Sequence, residues 1–159
     1  MPDSVDLPET SPCLTIPASH HIAANDLAFA IRDKFPVSPG HTLVIPRRLI
    51  PQWWDATAEE QAAILCLVDQ VRNDLLNDTL RARDLPGAPP PAGFNVGFNA
   101  GEVAGQTVKH LHMHVIPRYP GDMDDPRGGV RHVIPENGNH LVDPNALPPP
   151  EATPLASAV

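Results

Sequence analysis

Three histidines separated by single apolar residues, His110, His112 and His114, stand in the segment Gly105-Gln106-Thr107-Val108-Lys109-His110-Leu111-His112-Met113-His114-Val115-Ile116. On an extended chain side chains alternate between faces and recur about every 6.6–6.8 Å along one of them. That period places the three imidazoles on one surface and Leu111, Met113 and Val115 on the other, so a core on the apolar side aims the rings into a cleft. Two chemistries use imidazoles held in this way. Neutral ring nitrogens coordinate zinc or iron; alternatively, a neutral imidazole attacks phosphorus while a protonated neighbour neutralises the developing charge. The turn before the histidines offers backbone amides at Gly105, an amide side chain at Gln106 and a hydroxyl at Thr107, and Asn99 adds a donor at the end of the preceding strand. Such donors suit a phosphate oxygen and are of little use to a cation. No carboxylate lies within four residues of the histidines on either side. Phosphate chemistry is therefore favoured, with a metal site as the open alternative. Along the expected face only His112 has an imidazole on both sides, and it needs an acceptor, such as a backbone carbonyl, on its second nitrogen to keep the attacking one unprotonated.

The elements that must position these rings are legible from periodicity. Leu27, Phe29 and Ile31 alternate with Ala28, Ala30 and Arg32, and after the turn P-V-S-P-G, Leu43 and Ile45 alternate with Thr42 and Val44. A period of two predicts two strands with a tight connection. Thr57 followed by Glu60 forms a capping box, and Ile64, Leu67, Val68, Val71 and Leu75 recur at helical steps, predicting a helix over 58–77. The proline-rich stretch from Leu85 to Gly93 cannot continue it. Phe94, Val96 and Phe98 then alternate with Asn95, Gly97 and Asn99, and a second hairpin is expected between that strand and one from Thr107 to Ile116. The order strand, strand, helix, strand, strand predicts an α+β fold with a mainly antiparallel sheet and helices on one face.

The chain has 159 residues, enough for one domain, and 21 prolines argue against a bundle of long helices. Its formal charge of -8 gives no general attraction to nucleic acid. No run approaches the length of a membrane span and the acidic start lacks a signal-peptide pattern, so a soluble, cytoplasmic protein is expected. Cys13 and Cys66 read as ordinary reduced thiols. Residues 1–19 and 136–159 are proline-rich and read as tails that fold only if docked, flanking a domain over 20–135.

H-L-H-M-H-V-I, preceded by A-G-Q-T-V-K and followed by P-R-Y-P-G-D, closely resembles the signature of the histidine triad (HIT) family. D-K-F-P-V-S-P-G-H-T-L-V-I-P-R-R resembles the family's nucleoside-binding hairpin, and F-N-V-G-F-N-A-G-E the strand and turn that enter its active site, so the likeness covers about residues 22–120. The ending looks like the branch of the fragile-histidine-triad proteins and bacterial diadenosine polyphosphate hydrolases. The resemblance implies a HIT-like fold with a five-stranded sheet, one long helix and a short one, paired across a two-fold axis in a homodimer. It implies cleavage at the α-phosphate of dinucleoside polyphosphates or other nucleotide conjugates, with His112 as nucleophile in a nucleotidyl-histidine intermediate. His114 would then hold a phosphate or leaving oxygen, and His110 would order the site. Asn99, Gly105, Gln106 and Thr107 would bind the phosphates, Asp33 the ribose hydroxyls, His41 would stand near the phosphate, and Ile31 and Leu43 would form an apolar slot for the base. No cofactor is required, although a divalent cation can accompany the polyphosphate. A phosphoramidase, a phosphorylase in which phosphate replaces water, and a non-catalytic nucleotide-binding regulator are the alternatives.

Many bacterial relatives carry a C-x-x-C pair and a further histidine that complete a structural zinc site. Here Ser11, Leu14 and Leu49 stand at those places, so no structural zinc is expected. Arg127, Arg131 and His132 follow the signature, and an arginine fork matches phosphate oxygens. Arg127 is the candidate for the distal phosphates. Arg127→Ala is expected to lower kcat/KM for a long polyphosphate while sparing a short one; equal rates across a length series would dispose of that role.

Overall fold

Alternation of apolar side chains, clearest in the second, third and fifth strands, builds one antiparallel five-stranded sheet. The computed structural model describes residues 10–138. The strands are β1 (Ala23–Ala24), β2 (Ala28–Arg32), β3 (Thr42–Pro46), β4 (Gly93–Gly97) and β5 (Met113–Arg118), in the sheet order β1-β2-β3-β5-β4. All four pairings are antiparallel. The helix α1 (Ala58–Leu76) is capped by Thr57 and Glu60 as expected. A second helix, α2 (Asp78–Asp84), follows after one non-helical residue, Asn77, whose side chain accepts from the amides of Thr79 and Leu80. The predicted continuous helix over 58–77 thus ends at Leu76, and the short helix lies directly after it.

Two clusters sit on the two faces of the sheet. Ala28, Ala30, Val44, Met113 and Val115 pack with Ile64, Leu67, Val71 and Leu75 of α1. Each large aliphatic group so buried is worth about 1.5–3 kcal/mol. The intervening residues Phe29, Ile31 and Ile45 form a second cluster with Leu43, Cys13 and Ile16. Residues Pro12–Thr15 and Ala18–His20 form 3-10 turns, and Ser11 is buried, so this part of the expected tail is docked. The expectations for residues 1–9 and 139–159 lie outside the described residues.

The strand predicted from Thr107 begins only at Met113. Residues 107–112 are irregular because their polar groups bond to neighbouring loops rather than to a strand ladder. The chain divides into two compact units, one ending at Asp122 and one beginning at Met123. In the second, the described residues include 3-10 turns at Gly129–Val133 and Pro135–Asn137. Among the described residues no helix is long and apolar enough to cross a membrane.

The connection between β2 and β3 is tied down at both sides. Ser38 Oγ donates to the Pro117 carbonyl (2.6 Å) and Tyr119 Oη to the Pro39 carbonyl (2.8 Å). Gly40 completes this turn at a φ of +85°, where a Cβ would stand 2.9 Å from Leu75 Cδ2 and 3.0 Å from Leu85 Cδ1. Gly40→Ala combines an unfavourable backbone conformation with crowding against a buried leucine, and should cost about 1–3 kcal/mol, read as a lower midpoint in urea unfolding.

Candidate active site

Register builds the site. Ile31 pairs with Leu43, and Leu43 pairs with His114, so these three side chains stand in one row on the face away from α1. The sequence-derived slot residues are therefore beside the histidines. Gly97 pairs with His114 from the other side, and a Cβ there would meet nothing within 4 Å. The absence of a side chain leaves open space next to the imidazole.

The three histidines are not equivalent. His112 and His114 are partly exposed, with ring centroids 5.1 Å apart. His110 is fully buried, and its Nε2 faces the carbonyl oxygens of Pro46 (3.0 Å) and Arg48 (3.2 Å). The expectation of three rings presented together to a cleft is thus corrected: the segment before Met113 is not a strand, and His110 turns inward to satisfy two loop carbonyls. The imidazole on the far side of His114 is His41, whose ring centroid lies 5.2 Å away. It is His114 that these two contacts flank, rather than His112 as the alternation suggested.

Hydrogen bonds assign the protons. Nδ1 of His112 lies 2.7 Å from the His110 carbonyl oxygen and must donate, leaving Nε2 with a lone pair. The Val37 amide donates to His41 Nδ1 (3.3 Å), so the His41 proton sits on Nε2 and points at His114 Nδ1, 3.0 Å away. His114 then carries its proton on Nε2. Two adjacent rings thus offer opposite functions, an acceptor nitrogen on His112 and a donor nitrogen on His114. Burial, reinforced by any charge on His112 and His41, pushes the His114 pKa down to about 4. Burial also lowers His41, although the Asp33 carboxylate opposes it, and burial lowers His110.

Asp33, expected from the resemblance to face the ribose hydroxyls, has its Oδ2 within 3.5 Å of His41 Nδ1. Its Oδ1 accepts from the Phe35 amide (2.8 Å). Asp33, His41 and His114 each offer one atom within 4.8 Å of the others and form the one group among the described residues with metal-binding potential. Two of its nitrogens already share a hydrogen bond. Carboxylate proximity, which sequence spacing had counted against a cation, is therefore supplied by folding.

The turn before the histidines differs from its reading. Gln106 is buried, with Oε1 accepting from the Gly101 amide (2.9 Å) and Nε2 donating to the carbonyls of Pro51 (2.7 Å) and Val108 (3.2 Å). The amides of Gly105 and Gln106 are likewise spent, on the carbonyls of Glu102 and Gly101. Gln106 thus pins the turn, and these groups are not free donors as placed. Thr107 is exposed, and the Asn99 amide lies 3.9 Å from where a Gly105 Cβ would be. Arg127 belongs to the second unit and forks onto Asp125 at 2.7 and 2.8 Å.

Residues 16–121 match the model of the HIT domain. The chain is 33% identical over 102 residues to an AP-4-A phosphorylase of Mycobacterium tuberculosis, covering 64% of this chain and 47% of that protein. It is 33% identical over 101 residues to a bifunctional bis(5'-adenosyl)-triphosphatase/adenylylsulfatase of Arabidopsis thaliana, covering 64% and 51%. The crystal structure of a HIT family protein from Bacillus subtilis superposes with a TM-score of 0.57 at 30% identity, covering 72% of this chain and 77% of that one. The matched region spans from about half to just under two thirds of the length of the curated relatives named first by similarity.

The depressed histidines set a pH dependence of stability. An unfolded histidine binds its proton near 6.5 and folded His114 only near 4, so the unfolded state holds more protons between these values. Stability is full above about pH 6.5 and is lost as pH falls toward 4. His114 alone contributes a slope of up to about 1.4 kcal/mol per pH unit, and His41 and His110 act with the same sign. Urea unfolding across pH 4–7.5 measures it; a flat profile would contradict the buried neutral rings.

Proposed function

The chain belongs to the HIT domain family, and on that premise we propose that it is a nucleotide hydrolase or transferase cleaving dinucleoside polyphosphates or related nucleotide conjugates at the α-phosphate. The observation that carries this reading is the pairing of opposite tautomers at His112 and His114. Nε2 of His112 attacks the α-phosphorus, forming a P–N bond as the P–O bond to the leaving group breaks. The leaving oxygen departs as a phosphate anion held by the Nε2–H of His114. Water then breaks the P–N bond and releases the nucleotide. The depressed pKa of His114 keeps the ring neutral at pH 7, so its role is hydrogen-bond donation at the reacting oxygen rather than a standing positive charge.

Ile31 and Leu43 are proposed to seat the base and Asp33 to accept from the ribose hydroxyls. The row Ile31, Leu43, His114 supports that direction for the bound nucleoside. Asn99 and Thr107 remain the phosphate-side candidates, and His41 acts on phosphate through His114 rather than by touching it, because it is buried. A phosphorylase, in which inorganic phosphate replaces water in the second step, is the second reading. It is favoured by a relative of that name at the same identity as the triphosphatase relative. A homodimer is proposed as the working form; support comes from β4, a sheet-edge strand whose Val96 is exposed, and from exposed Trp54, which lies edge-on to Phe98 just after that strand.

Rapid quench with labelled dinucleoside polyphosphate tests the chemistry. Wild type should yield an acid-labile adduct on His112, and His112→Asn should lose both adduct and turnover, the latter by at least about 10³-fold. Turnover retained in the variant with no adduct in wild type would overturn the covalent route. Added inorganic phosphate separates hydrolase from phosphorylase by the product formed.

A further inference from the structure

The proposed chemistry makes no use of the buried carboxylate of Glu60. Glu60, in the first turn of α1, is only 5% exposed. Its two oxygens take a two-pronged fork from Arg48, Nε to Oε1 at 2.8 Å and the terminal nitrogen to Oε2 at 2.7 Å. The same terminal nitrogen donates to the Asp55 carbonyl at 2.9 Å. Such a bidentate, charge-assisted pair fixes geometry as well as charge.

What it fixes is a stretch of chain with no ladder of its own. After Pro46 the backbone leaves the sheet, and residues 46–51 present carbonyls to the histidine segment. The Pro46 and Arg48 carbonyls receive His110 Nε2 at 3.0 and 3.2 Å, that of Ile50 receives the Leu111 amide at 2.7 Å, and that of Pro51 receives Gln106 Nε2 at 2.7 Å. The His110 carbonyl in turn holds the Nδ1 proton of His112 at 2.7 Å. Hydrogen bonds joined through the covalent frames of Arg48 and His110 therefore link helix α1 to the ring proposed to attack.

We infer that Arg48 and Glu60 are positioning residues for His112: their fork holds residue 48 so that His110 is oriented from behind, and His110 in turn fixes the tautomer and pose of the nucleophile. The inference rests on the role proposed above for His112. An ångström of misplacement in a reacting group costs on the order of 10²-fold in rate. An ion pair that only stabilises the fold would change the unfolding midpoint and leave the His112 ring as it is.

Two variants of the full chain test this. Glu60→Gln keeps the shape and an acceptor for the Thr57 amide but removes the charge, and Arg48→Lys keeps the charge but loses the fork. Long-range 1H–15N spectra of the histidine rings read the tautomers, and steady-state kinetics on a dinucleoside polyphosphate reads the rate. The expected result is a His112 ring that changes from a single Nδ1–H form to a mixture, with kcat down about 10- to 100-fold and KM within about twofold. A His112 spectrum identical to wild type in folded variants would overturn the inference whatever the activity. A wild type that turns over no nucleotide, while the variants still disturb the His112 tautomer, would sink the proposed function and leave the positioning role standing. Should Glu60→Gln fail to fold, Arg48→Lys, altered at a half-exposed side chain, decides by the same spectrum.

Discussion

The attack proposed for His112 needs a nitrogen that carries a lone pair, so it depends on the bond that decides which nitrogen of that ring is protonated. That bond runs from Nδ1 to the carbonyl of His110, two residues back in the same chain. A side chain on a regular strand does not ordinarily meet a carbonyl of its own backbone so close by, since the ladder takes the carbonyls. The irregular backbone before Met113 is therefore what orients this ring rather than a frayed strand end. It frees one carbonyl for the ring and, by turning His110 inward, supplies that carbonyl with a fixed support.

Burial penalises imidazolium, and it holds His41, His110 and His114 below their usual range. The standing charge beside these rings is the Asp33 carboxylate, 3.5 Å from His41. The protein's part is oriented dipoles whose direction is set before the substrate arrives, which suits a reaction in which charge moves between phosphate oxygens.

Much of this was legible in sequence where the information is local. The capping box at Thr57 and Glu60, the period of two in Ala28–Arg32, and the apolar partners of the histidines all translate directly into α1, β2 and the core. Helix α2 carried a usable signal, Asn77 as an N-cap with Asp78 behind it, but the preceding periodicity masked the break. The histidine segment was read as strand because alternation is the same whether or not a ladder forms; what prevents the ladder is Gln106, Leu111 and His110 bonding to the loop after β3, a non-local fact. The approach of Asp33 and His41 to His114 had no signature in spacing either, since it depends on the register of β3 against β5. Gln106 illustrates the limit of reading by residue type: an amide in a glycine turn suits an anion, yet here its polar atoms satisfy backbone groups first.

Ser38 and Tyr119 join the loop that carries Asp33 and His41 to the far end of β5. The consequence concerns cooperativity. Segments that exchange amide protons independently are those with few ties to the sheet, and this loop has ties on both flanks. The half of the site from the first hairpin and the half from β5 therefore belong to one unfolding unit, which opens or stays closed as a whole.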